Sequence, residues 1–162
     1  MSYVERNLLQ GEQVVYRAKL HKIIFLPAAA IAILGIAAAV LIEIFVGNRL
    51  AAVITGAILL VLAVAVAFPR FIRYATSEFA VTNKRVIVKV GLINRRTLEL
   101  VLAKIETVGV DQSIPGRIFN YGTIIVTGTG GTQEPFKDIA DPIAFRKQVQ
   151  YELSTGGAPA EK

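Results

Sequence analysis

The amino-acid sequence predicts an α+β protein: a two-helix transmembrane hairpin followed by a small antiparallel β domain of about six to seven strands with a C-terminal amphipathic helix. Three observations carry this prediction. Two apolar runs without a charge lie in the first half of the 162 residues, short alternating segments separated by turn residues fill the second half, and a helical pattern follows Asp141 and Pro142. The chain is 54% hydrophobic and 8% aromatic, a balance too apolar for an ordinary soluble domain.

The two apolar runs are long enough to cross a bilayer. The first extends over 20 residues from Ile23 to Ile42, and the second over 19 residues from Leu50 to Phe68. At about 1.5 Å of rise per helical residue, each covers roughly 30 Å, the thickness of the hydrocarbon core. We therefore predict spans at about residues 23–45 and 50–72, antiparallel because the connection is short. A cleaved secretory signal is the competing interpretation of the first run, but this run is too long and follows 22 residues of patterned polar sequence.

The basic residues predict the orientation of the hairpin. Eight of them flank the two spans on the side of the termini, and Arg49 alone lies in the connection. The positive-inside rule then places both termini in the cytoplasm and the connection outside. Lys22, Arg70 and Arg73 are the predicted membrane-interface residues.

Composition excludes several chemistries. With no cysteine and one histidine, His21, the chain offers no disulfide, thiolate or histidine-cluster metal site, and we expect no metal and no cofactor. The glycine-rich segment 128–131 lacks the Gly-Lys-Ser/Thr of a phosphate loop and is better explained as a turn. The net charge of +6 resides largely at the membrane ends, so we expect no nucleic-acid partner. We also expect no catalytic residues.

From Ser77 onward the periodicity becomes alternating. Strands are predicted around residues 77–82, 85–90, 96–102, 105–110, 123–127 and 134–139, with a loop at 113–121. Residues 12–20 could add a strand before the first span. Asp141 and Pro142 signal the start of a helix whose apolar face is Phe145, Val149 and Leu153. The predicted division is an N-terminal segment (1–22), the hairpin (23–74), the β domain (75–153) and a disordered tail (154–162).

Several segments, in this order, carry a resemblance to a known family. They are Leu8-x-x-Gly-Glu12, the membrane hairpin, Phe79-Ala-Val-Thr-Asn-Lys-Arg-Val-Ile87, Ile105-Glu-Thr-Val-Gly-Val-Asp-Gln-Ser113 and Asn120-Tyr-Gly-Thr-Ile124. The chain resembles the bacterial PH-like (pleckstrin-homology-like) membrane proteins, formerly a domain of unknown function. The resemblance implies two bent sheets with a C-terminal helix, a bacterial inner-membrane location, and binding of lipids or proteins without catalysis.

A group of basic residues is the candidate ligand site. Lys84, Arg85, Lys89, Arg95 and Arg96 cluster around the first hairpin and the start of the third strand. In lipid-binding PH domains such a hairpin grips head-group phosphates, because arginine and lysine donate to phosphate oxygens. The alternative, which we favour, is a solvated outer face.

Two features of the spans carry alternatives of their own. Glu43, just beyond the first run, is either a functional ionisable group or a hydrated interfacial carboxylate, and its position near the outer interface favours the second. Small residues recur along both helices, and packing within the hairpin is the first expectation, with self-association as the second. The stripes comprise Ala28, Ala32, Gly35 and Ala39, and Ala52, Gly56, Ala63 and Ala67.

The leading functional hypothesis is a non-catalytic interaction or scaffolding module at the cytoplasmic face of the bacterial inner membrane. Its expected partners are membrane lipids and either further copies of itself or another membrane protein. A subunit of an oligomeric transporter or channel is the rival, and the scarcity of polar residues in the spans argues against it. An accessory subunit of another membrane protein is the third possibility.

Overall fold

The computed structural model describes residues 3–92 and 96–156, which form two compact units. Residues 22–75 form one unit, and the described residues on either side of them form the other, called the soluble domain below. The elements in chain order are α1 (Tyr3–Arg6), β1 (Val14–Ala18), α2 (Leu26–Val46), α3 (Arg49–Thr76), β2 (Glu78–Thr82), β3 (Arg85–Val90), β4 (Arg96–Val101), β5 (Ile105–Asp111), α4 (Ile114–Ile118), β6 (Tyr121–Gly128), β7 (Gln133–Ala140) and α5 (Pro142–Ser154). The predicted α+β fold class is confirmed.

The unit of residues 22–75 is a helical hairpin. A 3-10 turn, Lys22–Phe25, leads into α2, which ends at Gly47 in the left-handed region (φ 65°), a conformation that glycine adopts without strain. The Asn48 side chain then accepts a hydrogen bond from the Ala51 N–H at 3.0 Å and caps α3. At the other end of the hairpin the rings of Phe25 and Tyr74 lie 5.6 Å apart.

Small residues bring the two helices into close contact. A Cβ placed on Gly35 would lie 2.8 Å from the Leu59 Cβ, and one placed on Gly56 would lie 3.3 Å from the Ala39 Cβ. Ala28 and Ala52 are also buried. Gly35, Ala39 and Gly56 of the predicted stripes therefore make contacts within one hairpin, and self-association stays a prediction.

Both helices keep their outer faces exposed. In the most apolar 18-residue stretch of Lys22–Val46 only 6% of the residues are buried, and in that of Arg49–Thr76 only 11%. The core helix of a soluble protein would be mostly buried instead. Both helices are long and apolar enough to cross a membrane.

The soluble domain contains two antiparallel sheets. One has the strand order β1-β2-β3-β4 and the other β5-β6-β7. Beyond β1 the chain bridges to the second sheet, because Leu20 pairs with Ile139 and the His21 N–H donates to the Asp138 carbonyl at 2.6 Å. The Phe79 and Phe136 rings, 6.1 Å apart at a near-perpendicular angle, join the two sheets in the core.

The C-terminal helix forms as predicted. Asp141 accepts a hydrogen bond from the Ala144 N–H at 3.3 Å, and Phe145 and Val149 are buried, with Phe145 against the Tyr16 ring. The helix extends to Ser154, and most of the segment predicted as a disordered tail, residues 157–162, lies outside the described residues.

Two short helices depart from the predicted pattern. α1 places Val4 against Ala80 and Ile87, on the face of β2 and β3 that was expected to be open, so both faces of these strands are buried. α4 lies in the segment 113–121 that was predicted as a loop. Helices this short contain too few residues to show a helical period in the sequence.

Candidate functional site

Arg85 belongs to the predicted basic site, and its guanidinium donates four hydrogen bonds to oxygens of the soluble domain. Nε and Nη2 each donate to one carboxylate oxygen of Glu12 at 2.9 Å, a bidentate pair. Nη1 donates to Glu99, and Nη2 also donates to the Asn7 carbonyl. The side chain of Arg85 is only 12% exposed and that of Glu12 is fully buried.

Glu12 receives further donors that keep it ionised. Its carboxylate accepts from the Thr82 hydroxyl and from the Leu9 N–H, each at 2.7 Å. Burial by itself would raise the pKa of Glu12, but these hydrogen bonds and the adjacent Arg85 charge outweigh burial and hold the pKa below its ordinary value. The hydrogen bonds and charge of Glu12 outweigh desolvation at Arg85 and raise the pKa of that guanidinium.

The turn between β2 and β3 is bound to the same N-terminal segment. Asn83 accepts from the Gln13 N–H at 3.0 Å and donates to the Gly11 carbonyl at 3.3 Å. Lys84 donates through Nζ to the Gln10 carbonyl at 2.9 Å. Two segments quoted above for the family resemblance are therefore in contact: the one that contains Leu-x-x-Gly-Glu and, 70 residues later, the one that contains Thr-Asn-Lys-Arg. We call this contact the N-terminal clasp (residues 7–13 with 82–85).

Lys89, on the other half of β3, is also occupied. Lys89 is 8% exposed, and its Nζ lies 3.8 Å from the Glu78 carboxylate and 5.3 Å from the centre of the Tyr3 ring. Glu78 in turn accepts from the backbone N–H groups of Tyr3 and Val4 at 3.0 and 3.2 Å. Lys89 thus contributes to holding α1 on the sheet.

The five predicted basic residues do not form one open basic surface. The expectation of a solvated face is wrong for Lys89, which is buried, and for Arg85, whose side chain is only 12% exposed, and both pair with acids. Arg96 is exposed and pairs with Glu134 at 2.6 Å, while Arg95 lies outside the described residues. Head-group binding by this group stays a prediction, and Lys84 and Arg96 are the exposed members through which it can be tested.

The predicted interface residues lie at the termini of the helical hairpin. Lys22 opens the 3-10 turn before α2 and is exposed, and Arg73 is exposed in the last turn of α3. Arg70 donates to the Val66 carbonyl at 2.7 Å, one turn earlier in the same helix. Glu43 is exposed in the last turn of α2.

A surface groove of the soluble domain, about 570 Å³, lies beside the end of α5. Lys84, Leu102 and Glu152 are among its lining residues. Glu152 is 2% exposed and accepts a hydrogen bond from Gln148 at 3.2 Å. Among residues 3–92 and 96–156, no group of three histidine, cysteine or carboxylate side chains could hold a metal ion.

Sequence reasoning missed the two acids that occupy Arg85. The strand register could have indicated Glu99. Arg85 pairs with Val101 and Ile87 pairs with Glu99, so Arg85 and Glu99 are diagonal neighbours on one face of the sheet. Glu12 belongs to a segment quoted for the resemblance, but its partner is 73 residues away and nothing local indicates it.

Comparison with known families agrees with this architecture. The profile described as "Bacterial PH domain" matches residues 22–153, most of the chain. The chain therefore belongs to the bacterial PH domain family, and the resemblance inferred from the sequence is confirmed. No curated protein and no solved structure matches it. PH-like domains are generally interaction modules that do not catalyse reactions.

Proposed function

We propose that this protein is a two-span protein of the bacterial inner membrane that presents its PH-like domain in the cytoplasm as a non-catalytic interaction module. The observation that carries the proposal is the exposure of the apolar faces of both long helices, 6% and 11% buried, which need an apolar solvent. The excess of basic residues on the side of the termini supports the orientation.

The connectivity of the soluble domain supports the same topology. β1 precedes the hairpin and β2 follows it, yet the two strands pair from Val14 with Thr82 to Ala18 with Phe79. The chain must therefore cross the membrane an even number of times between them. Cleavage of the first apolar run as a signal would separate β1 and Glu12 from the rest of the domain, which argues against that interpretation.

Tethering favours interaction over catalysis as the function. A domain joined to the membrane at both His21 and Thr76 meets lipids and neighbouring membrane proteins at high effective concentration, so weak surface contacts suffice. The proposed partners are membrane lipids and a further copy of the chain or another membrane protein. Native mass spectrometry of the protein released from nanodiscs would report a closed homo-oligomer, a stoichiometric partner, or a monomer with bound lipid.

Single-cysteine labelling tests the topology directly, because the chain has no cysteine of its own. Asn48→Cys in the connection should react with a membrane-impermeant maleimide in intact spheroplasts. Thr129→Cys, exposed in the β6–β7 turn, should react only after permeabilisation. The reverse pattern would overturn the orientation, and equal reaction of both in intact spheroplasts would overturn the two-span topology.

A further inference from the structure

The most exposed large apolar side chains of the soluble domain lie together on α4. Ile114 is 77% exposed and Ile118 is 72% exposed, the highest values for large apolar side chains among the described residues of this domain. Phe119, the next residue in the chain, is 58% exposed. Ile114 and Ile118 are four residues apart and so lie one above the other on one face of the turn. Arg117, also exposed, is the basic residue of the same turn.

The fold holds this turn rigidly with its apolar face outward. Ser113 caps it by accepting from the Gly116 N–H at 3.2 Å, and Gln112 donates to the carbonyls of Gly116 and Tyr121 at 3.3 and 3.0 Å. Gly116 is buried on the inner side, where a Cβ would lie 2.6 Å from the Tyr121 carbonyl oxygen. A turn fixed this closely to β6 cannot rotate to bury its isoleucines in the domain.

The same end of the domain carries both chain connections to the hairpin. Tyr121, which anchors α4, stacks on His21 with ring centres 5.3 Å apart, and His21 is the residue directly before Lys22 and the first apolar helix. In the antiparallel β1–β2 pair, Ala18 lies opposite Phe79, so Ser77, which follows Thr76 at the end of the second helix, emerges at this end as well. The apolar turn therefore lies at the end of the soluble domain from which the chain leaves for the hairpin and returns.

From this placement we propose that α4 is a third membrane contact, in which Ile114, Ile118 and Phe119 insert into the head-group and acyl-chain boundary of the cytoplasmic leaflet. Side chains of this type lie about 5–10 Å deep in the interface, and an arginine between them reaches the lipid phosphates while its stem stays apolar. The contact fixes the orientation of the soluble domain on the bilayer. The proposal rests on the proposed membrane attachment of the hairpin.

Three single-cysteine variants of the full chain, labelled with an environment-sensitive fluorophore, test it in nanodiscs of phosphatidylethanolamine and phosphatidylglycerol. Ile118→Cys reports on α4. Thr129→Cys, directly after the opposite end of β6 and roughly 26 Å from Tyr121 along the chain, is the matched control. Leu60→Cys, 59% exposed in the middle of α3, reports on the hairpin itself. Each is measured with and without lipids that carry a nitroxide on the acyl chain.

We expect a blue-shifted emission and strong quenching by a nitroxide near the head group at Ile118→Cys, no quenching at Thr129→Cys, and quenching by a deep nitroxide at Leu60→Cys. Quenching at Leu60→Cys but not at Ile118→Cys would overturn the α4 contact and leave the attachment intact. A blue shift without lipid quenching at Ile118→Cys would show that protein covers α4 and would also overturn it. Absence of quenching at Leu60→Cys would overturn the attachment and the inference that rests on it.

Discussion

At the scale of single residues, Arg85 of β3 connects the N-terminal segment to β4 through one guanidinium. Removing it leaves the carboxylate of Glu12 buried without its countercharge, which typically costs about 3–5 kcal/mol of unfolding free energy. We therefore expect Arg85→Gln to destabilise the soluble domain by this amount. Arg17→Gln is the matched control, because the Arg17–Glu5 pair at 2.8 Å is about half exposed and should contribute less than about 1 kcal/mol.

Urea titration followed by a short protease pulse measures this effect in the full chain, held in mild detergent. Equal stability of the Arg85→Gln and Arg17→Gln variants would show that the clasp is not a stabilising contact. It would also mean that Arg85 is available to bind lipid head groups, like the exposed basic residues.

Glu12 predicts a pH dependence of stability with a definite sign. Because its folded-state pKa lies below the ordinary value of 4.5, its contribution is fully present above about pH 4.5 and is lost as the pH falls through the folded-state pKa. Glu12→Gln lacks the charge that pairs with Arg85, so this variant should be less stable than the wild type at pH 7. Because glutamine does not titrate, the difference in stability should shrink as acid protonates Glu12 in the wild type. Near-ultraviolet circular dichroism of the five tyrosines follows unfolding. A difference that stays constant or grows on acidification would contradict the assignment.

The sequence predicted the positions of Arg85 and Lys89 on β3 but not their surroundings. Alternation along a strand tells which residues share a face, and it does not tell what covers that face. Here α1 and the clasp cover the face of β3 that looked open, and they come from the other side of the hairpin in sequence. Contacts over 70 residues leave no periodic signal in a single chain.

At the scale of elements, the C-terminal end of β5 packs against the start of β6 at a distance that only glycine allows. A Cβ on Gly122 would lie 2.7 Å from the Asp111 carbonyl oxygen, whereas one on Gly109, in the neighbouring strand, would lie 3.7 Å from the nearest atom, the Ile125 Cβ. Gly122→Ala should therefore destabilise the domain by about 1–3 kcal/mol, as overpacking does. Gly109→Ala should be close to neutral. Pulse proteolysis compares the two, and equal effects would mean that close approach is not what requires Gly122.

Within the hairpin, the close contact of Ala39 and Gly56 predicts a disulfide. The Cβ position of Gly56 lies 3.3 Å from the Ala39 Cβ, near the separation of about 3.5–4.5 Å that a disulfide needs. Ala39→Cys with Gly56→Cys should form an intrachain bond under mild oxidation. Ala37→Cys with Gly56→Cys is the control, since Ala37 is exposed on the outer face. Counting free thiols on gels decides the outcome, and an interchain dimer for the first pair would assign the stripe to neighbouring copies.

The long elements were predictable and the short ones were not. The two apolar helices, the strands and α5 each carry a pattern that repeats often enough to be recognised, and Asp141 marks the start of α5 as a cap. α1 and α4 have four and five residues, barely one helical turn each. Their roles come from tertiary contacts: Glu78 accepts hydrogen bonds from two N–H groups of α1, and Gln112 fixes α4 to β6.

At the scale of the whole molecule, the hairpin is an insertion between β1 and β2 of one domain. Residues on both sides of it build the first sheet, the clasp and the bridge between Leu20 and Ile139. In the proposed two-span topology, insertion of both helices would bring the two parts of the domain to the same side before the domain closes. The hairpin is therefore the chain connection between two strands that pair with each other, β1 and β2.

This arrangement predicts that the chain tolerates a break at the exposed turn between the helices. Fragments 1–48 and 49–162, expressed together, should assemble and co-purify, because strand pairing, the clasp and helix packing all join them. A fragment 22–48 keeps the helix contact but lacks β1 and Glu12, so its retention of 49–162 should be clearly weaker. Affinity purification through a tag on the first fragment measures retention. If 22–48 retains 49–162 as well as 1–48 does, helix packing alone joins the halves and the clasp contributes nothing to assembly.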